Sequence, residues 1–264
     1  MSLLKIIILG IIQGITEFFP ISSSGHLVLT QNLLGLREPQ LLVDVMLHFG
    51  TVIALFVFLR KEIAGIFISL IQFFKRPSLK SKDPNMILVF SLVVASIPTF
   101  LIGYFFHRPF ESLFGSPRAV SFALMITAIF LFFTKFAKQK KAKIPLHPFI
   151  IGVLQGAAIV PGFSRSGLTI GGALFLGWER KKAARFSFLL SIPAILGASF
   201  FQLQKPTVSA QPWGIIIIGV FIAALTGYFS LAFLVKIINR GKFYLFSFYC
   251  AVIAAAGIIL TWQK

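Results

Sequence analysis

Residues able to do ionic chemistry are scarce in this chain and gather in two stretches. The first runs Gln13-Gly14-Ile15-Thr16-Glu17-Phe18-Phe19-Pro20-Ile21-Ser22-Ser23-Ser24-Gly25-His26, and the second includes Pro161-Gly162-Phe163-Ser164-Arg165-Ser166-Gly167-Leu168-Thr169. Glu17 is the one carboxylate expected well inside a bilayer, where a charge costs roughly 3 kcal/mol even on lenient insertion scales, so it must face a cavity or a partner. Gln13 stands four residues earlier, on the same helical face, and the two also fit a plain helix–helix hydrogen-bonding pair. Ser22, Ser23, Ser24 and Gly25 fit a helix cap and its turn. His26 adds a titratable ring, and a serine near a histidine and a carboxylate is the general recipe for an activated nucleophile. Arg165 stands between two serines, with Gly162, Gly167 and Thr169 nearby. Guanidinium, hydroxyls and exposed N–H groups at a glycine-rich helix start form a cradle for an oxyanion, phosphate above all. Arg165 also fits as the counter-ion of Glu17, and both roles can hold together. Asp44 and His48, again four apart at the outer end of the first full span, are expected near the membrane interface, with contact to the site as the lesser alternative. His107 and His147 are expected in solvated loops.

The elements that must position these groups are unusual. The two stretches match without a gap 142 positions apart: Gly10/Gly152, Gln13/Gln155, Gly14/Gly156, Ser22/Ser164, Ser24/Ser166 and Gly25/Gly167 are identical pairs. A duplicated polar break in an apolar protein is a known way to build a mid-membrane site from two half-copies. Six other runs are apolar and long enough to span a membrane, at about 43–59, 86–106, 119–135, 186–203, 213–235 and 243–262; a span takes about 20 helical residues. The motif regions, about 1–35 and 147–178, are broken by Pro, Gly and Ser and read as helical hairpins that enter and leave on one side. Such backbone is tolerated at depth only when shielded by protein or lining a wet cavity.

Loop charge tests this plan. The segments 60–85, 135–147, 178–185 and 236–242 carry six, five, four and three Lys/Arg, against six in all other loops and ends. Placing the rich segments in the cytoplasm makes all six spans alternate. The first hairpin then enters from outside and the second from inside, with both termini external. The fold expected is an all-α polytopic membrane protein: one membrane domain over 1–264, an inverted-topology repeat with halves of about 1–140 and 141–264, six transmembrane helices and two re-entrant helical hairpins.

Composition agrees. The chain is 57% hydrophobic with 32 Phe, and only 12% of it is charged, about half the share of a soluble domain. The net charge of +18 sits in short loops, which points to membrane orientation and anionic lipid heads and away from nucleic acid. The lone Cys250 lies in an apolar run, facing lipid or core, and allows no intrachain disulfide. Residues 1–19 look superficially like a signal peptide. However, Gln13 and Glu17 interrupt the apolar stretch and no clean cleavage site follows, so they are expected in the mature protein.

Taken together, the two motifs resemble the undecaprenyl-diphosphate phosphatase family, also called the bacitracin-resistance family, and the resemblance covers essentially the whole chain. It implies hydrolysis of undecaprenyl diphosphate to the monophosphate carrier of cell-wall synthesis, in the inner membrane, with a divalent cation, Mg²⁺ or Ca²⁺. The family's acidic motif falls on Gln13 and Glu17. Gln at the first position removes one carboxylate from any two-carboxylate metal site. With the chemistry above, the resemblance gives Glu17, Ser23, His26 and Arg165 as catalytic. Ser22, Ser24, Gly25, Ser164, Ser166 and Thr169 bind the diphosphate, and Glu17 with Gln13 contacts the cation. Ser23 is favoured for the attack, with His26 or Glu17 taking the proton; water or His26 itself as nucleophile stays open. The expected partners are the polyprenyl diphosphate and membrane lipid, with a homodimer left open, and catalysis is expected at the external face. The rival is a polyprenyl-phosphate carrier on the same repeat. Acid-phosphatase-like lipid phosphatases, echoed by Ser24-Gly25-His26 and Ser164-Arg165, need a second His that residues 166–180 lack.

Overall fold

The computed structural model describes residues 1–36, 40–75, 83–113, 115–140, 145–203 and 212–262, and the regular structure among them is helical throughout. The helices are α1 (Leu3–Phe18), α2 (Ser23–Leu33), α3 (Leu41–Phe58), α4 (Arg60–Lys75), α5 (Pro84–Leu113), α6 (Pro117–Phe133), α7 (His147–Ala157), α8 (Arg165–Phe175), α9 (Arg180–Leu203), α10 (Trp213–Asn239) and α11 (Phe246–Trp262). Five of them (α5, α6, α9, α10 and α11) are long and apolar enough to cross a membrane, and α3 with α4 supplies a sixth, bent candidate. The six apolar runs all fall on these helices. Their outward residues are themselves apolar, among them Phe90, Phe105, Phe221 and Phe233, each more than half exposed. The molecule is a polytopic membrane protein.

The segment after α3 departs from expectation. Its first 16 residues form α4, which turns 77° away from α3. The reason lies in spacing: Ile63, Ile66, Leu70 and Phe73 recur at helical intervals, an amphipathic pattern that charge counting alone passes over. Ile63 and Ile66 pack on the main core.

Both motif regions fold as helix–turn–helix pairs, α1–α2 and α7–α8. Matched residues do matched work in them. Ser22 caps α2, accepting from the Gly25 N–H at 3.2 Å, and Ser164 caps α8, accepting from the Gly167 N–H at 3.0 Å. Gly10 and Gly14 let α1 approach the backbone of α10 at Gly219, Ala223 and Gly227; Gly152 does the same for α7 against the Ala95 backbone of α5, and Gly156 makes room for the Ile102 side chain. In lipid, where apolar burial gives helices little reason to associate, such close backbone approach supplies van der Waals contact and cross-helix hydrogen bonds. Thr99 on α5 illustrates the second, donating between the carbonyls of Ala95 and Gly152 at 3.0 and 2.9 Å. Each hairpin therefore docks on a helix from the other half of the chain.

A Cβ at Gly14 would collide with Thr226 and lie 2.6 Å from the Ala223 carbonyl, whereas one at Gly197 meets nothing within 4 Å. Gly14→Ala should therefore cost about 1–3 kcal/mol through overpacking, and Gly197→Ala should be neutral or stabilising by up to about 1 kcal/mol. Thermal melting of the two variants in detergent measures the difference; equal melting temperatures would show that α1 and α10 are not held at this distance.

Candidate active site

The site is built around Glu17, on the last turn of α1, whose carboxylate is almost completely buried. Four groups from four elements converge on it. Oε1 pairs with the Arg165 guanidinium from the start of α8. Oε2 accepts from Gln13 Nε2 at 2.8 Å, one turn back on α1, and from Ser23 Oγ at 2.6 Å, the first residue of α2. His48 Nε2, from the middle of α3, stands 3.4 Å from the same oxygen.

Chain geometry explains how Ser23 reaches back to α1. Ser22 has φ +67°, the only positive φ at a non-glycine among the described residues. That conformation costs an L-residue roughly 1–2 kcal/mol and turns the chain sharply after Pro20. Gly162 (φ +100°) makes the equivalent bend before α8. The two turns interlock: Ser166 Oγ donates to the Phe19 carbonyl at 3.0 Å, Gly25 lies against Gly162, and Cys250 of α11 donates weakly to the Pro20 carbonyl at 3.5 Å. The starts of α2 and α8 thus meet beside Glu17, and two helix N-termini with their free N–H groups favour an anion there.

The expected residues divide into two sets. Glu17, Ser23 and Arg165 are in direct contact, and Gln13 joins them. Ser22, Ser164, Ser166 and Thr169 are buried and already engaged inside the protein. Ser22 and Ser164 are caps. Ser166 ties the turns together, and Thr169 Oγ lies 2.8 Å from the Arg165 carbonyl and 2.5 Å from Ser187 Oγ. Gly25 packs the turn, and Ser24 contacts Ser22 Oγ at 3.4 Å. His26 is near the cluster in sequence, but its ring is held elsewhere. Nδ1 lies 2.8 Å from the Ser22 carbonyl, Nε2 lies 2.9 Å from the Tyr249 hydroxyl, and the ring stacks on Tyr249 at 5.6 Å. The proton acceptor facing Ser23 is Glu17.

Of the pair expected near the interface, Asp44 is buried in the protein and accepts from Gln31 Nε2 at 2.6 Å, and His48 is in the site, the lesser alternative. Two sequence expectations need correction. His147 is not solvated; it is buried as the first residue of α7 and accepts from Trp178 Nε1 at 2.9 Å. His107 lies within α5 and not in a loop, and its side chain is outside the described residues. Tyr249 carried no sequence signal, being one aromatic among many in a span. His48 carried a weak one, its spacing from Asp44.

The residues present do not suit a divalent cation held by protein alone. Among the described residues no group of three His, Cys, Asp or Glu converges. A hard cation wants six or more oxygens, and both Glu17 oxygens are taken by donors. Among the described residues, a buried side-chain acceptor left without a partner there is Oε1 of Gln13.

Residues 6–256 match the family described as Bacitracin resistance protein BacA. The chain is 43% identical to an undecaprenyl-diphosphatase of Halothermothrix orenii, the alignment covering 98% of each chain. It is 40% identical to one of Desulforapulum autotrophicum, again over 98% of each, and 36% identical to one of Methanosphaera stadtmanae over 99% of each. On a match that spans nearly its whole length, the chain belongs to the bacitracin resistance protein BacA family.

Proposed function

We propose that this protein hydrolyses undecaprenyl diphosphate to undecaprenyl phosphate and phosphate, recycling the lipid carrier for cell-wall synthesis and so conferring resistance to bacitracin. The curated relatives named above are all undecaprenyl-diphosphatases. The observation that carries the reading is the bond from Ser23 Oγ to Glu17 Oε2 at 2.6 Å with Arg165 on the other carboxylate oxygen. A nucleophile, its base and an anion-binding cation meet at one point.

The chemistry follows from this arrangement. Phosphoryl transfer needs positioning and neutralisation of spread negative charge more than covalent help. Arg165 leaves Glu17 for the diphosphate, which also faces the starts of α2 and α8. Ser23 Oγ forms a bond to the terminal phosphorus while its proton passes to Glu17 Oε2. The bond from that phosphorus to the bridging oxygen breaks, and its electron pair leaves with undecaprenyl phosphate. The departing phosphate takes the proton from Glu17, which then takes a proton from water as the water oxygen bonds to phosphorus; the bond from phosphorus to Ser23 Oγ breaks, Glu17 returns the proton to Oγ, and phosphate leaves. A divalent cation, Mg²⁺ or Ca²⁺, would be held mainly by the diphosphate's own oxygens, with Gln13 Oε1 a protein acceptor free to join them, and would supply charge neutralisation there. The polyprenyl tail stays in lipid between helices.

The matched roles of Gly10/Gly152, Gly14/Gly156 and Ser22/Ser164 support reading the fold as an inverted repeat with re-entrant hairpins. The charge bias of the loops supports a cytoplasmic-membrane location with the site opening to the external face. No observation favours the carrier alternative.

Phosphate release from undecaprenyl diphosphate by the purified protein is the deciding assay. Ser23→Ala should abolish it, and Arg165→Ala should lower kcat by at least about 10³-fold, the loss typical of a transition-state arginine. Glu17→Gln should lose about 10²–10³-fold, as expected for a positioned base, and chelation of divalent cations should suppress turnover. Full activity of Ser23→Ala would remove serine attack. Orientation is read separately. Because Cys250 is buried, thiol labelling of intact cells starts from a low background. A membrane-impermeant reagent should label Ser116→Cys and spare Lys138→Cys; the reverse pattern would invert the topology.

A further inference from the structure

We infer that the end of the molecule where α6 and α10 finish and α9 begins is a binding site for an anionic phospholipid. The site is separate from the Glu17 cluster and does not depend on the phosphatase reading. Three chain segments meet there. The Lys140 N–H, past the end of α6, donates to the Gly177 carbonyl at 2.9 Å. The Arg180 guanidinium lies on the turn after α10, where a Cβ at Gly241 would stand 3.1 Å from its Cζ. Lys135 Nζ lies 5.6 Å from the centroid of the Tyr244 ring. Phe243 belongs to the main core, and Ala137, Leu176 and Trp178 pack on that core, so the three segments share one apolar floor.

Segments 134–140, 177–185 and 236–245 carry three, four and three Lys/Arg against one carboxylate, Glu179. Glu179 pairs with Lys182 at 2.7 Å, and among the described residues no other carboxylate lies within 4 Å of a basic side chain in these segments. Membrane orientation asks only that such loops be basic, not that three of them touch. Their convergence concentrates positive potential at one place, where it attracts anions. Arg185 adds a desolvated group: it stands one turn beyond Lys181 on the same face of α9, only partly exposed, and its Nε is buried with no partner. An N–H left unmade in that way is costly, and a phosphate oxygen is an acceptor that suits a guanidinium. The apolar surroundings say which anion. Phe133 and Phe136, flanking Lys135, are both more than half exposed, and Phe136 and Phe248 of α11 both contact the Phe132 ring, at 6.2 and 6.3 Å. An occupant with phosphate among the basic groups and hydrocarbon against these rings is a phospholipid, not a soluble polyanion.

Native mass spectrometry of the detergent-purified full chain tests this, reading Kd for the first dioleoylphosphatidylglycerol or dioleoylphosphatidylcholine bound. Wild type should hold the anionic lipid at least about tenfold more tightly. Lys181→Gln should weaken that lipid about fivefold, the share of one basic residue near an anionic head group. Lys140→Gln, Lys181→Gln and Lys242→Gln together, all at exposed positions, should weaken it about fiftyfold or more. Arg60→Gln, Lys61→Gln and Lys75→Gln together remove the same charge from exposed positions on α4 and should weaken it less than about threefold, as expected of screened charges outside the site. Equal losses in the two triple variants, or equal binding of the two lipids by wild type, would overturn the inference. Displacement of the lipid by an equal concentration of inorganic diphosphate would assign the surface to a soluble anion and overturn it too. If the first triple variant melts far below wild type, Lys181→Gln decides alone, and an unchanged Kd overturns the site. Every one of these outcomes leaves the phosphatase reading where it stands.

Discussion

A single buried carboxylate governs the structure. Glu17 sits where neither water nor lipid can stabilise its charge, and its guanidinium partner, Arg165, lies 148 residues away in the other half of the chain. Removing one partner of such a pair leaves an uncompensated buried charge, typically worth about 3–5 kcal/mol of destabilisation. The two halves must therefore associate for either motif to be tolerated in the membrane. Formation of the site and closure of the fold are one event.

The packing that brings the pair together depends on small residues. Gly10 and Gly14 set α1 against α10, and Gly152 and Gly156 set α7 against α5, so each half grips the other's hairpin. The helices can then lie close enough for the turns to touch, with Ser166 bonded to the Phe19 carbonyl and Gly25 against Gly162. The strained Ser22 is the local expense of aiming Ser23 back at α1. Strain of this kind persists only when the surroundings over-determine it, as the cap to Gly25 and the interlocked turns do here.

Much of this was legible in the residues. Spans follow from length and hydropathy, and the six apolar runs all lie on helices. The hairpins followed from Pro, Gly and Ser breaking otherwise apolar stretches, and Arg165 was foreseen as a counter-ion to Glu17. What escaped was depth and rotation. His48 and His147 looked peripheral because polar residues near the ends of apolar runs usually are, yet Glu17 and Trp178 give them buried partners. Tyr249 holds His26 across 223 residues of sequence, a contact no spacing rule encodes. The serines show the opposite difficulty. A Ser beside a Gly at a helix start is suited equally to capping and to binding phosphate. Only Ser23 both starts a helix and turns its hydroxyl onto the carboxylate, while Ser22, Ser164 and Ser166 hold the framework.

The same framework bears on hydrolysis against transport. A carrier with broken helical hairpins works by rocking one repeat against the other around a fixed site, so contacts between the halves must be weak along the path of motion. Here they are numerous at the site itself. The Glu17–Arg165 pair, the Ser166 to Phe19 bond, the Gly25–Gly162 contact and the Thr127 hydroxyl bonded to both the Gly162 carbonyl and the Ser164 N–H, at 3.1 and 3.2 Å, all cross between the halves. A site tied in this way is poorly built to open alternately to two faces. It is well built to keep the Ser23 hydroxyl on the Glu17 carboxylate, and phosphoryl transfer draws most of its rate from that kind of positioning.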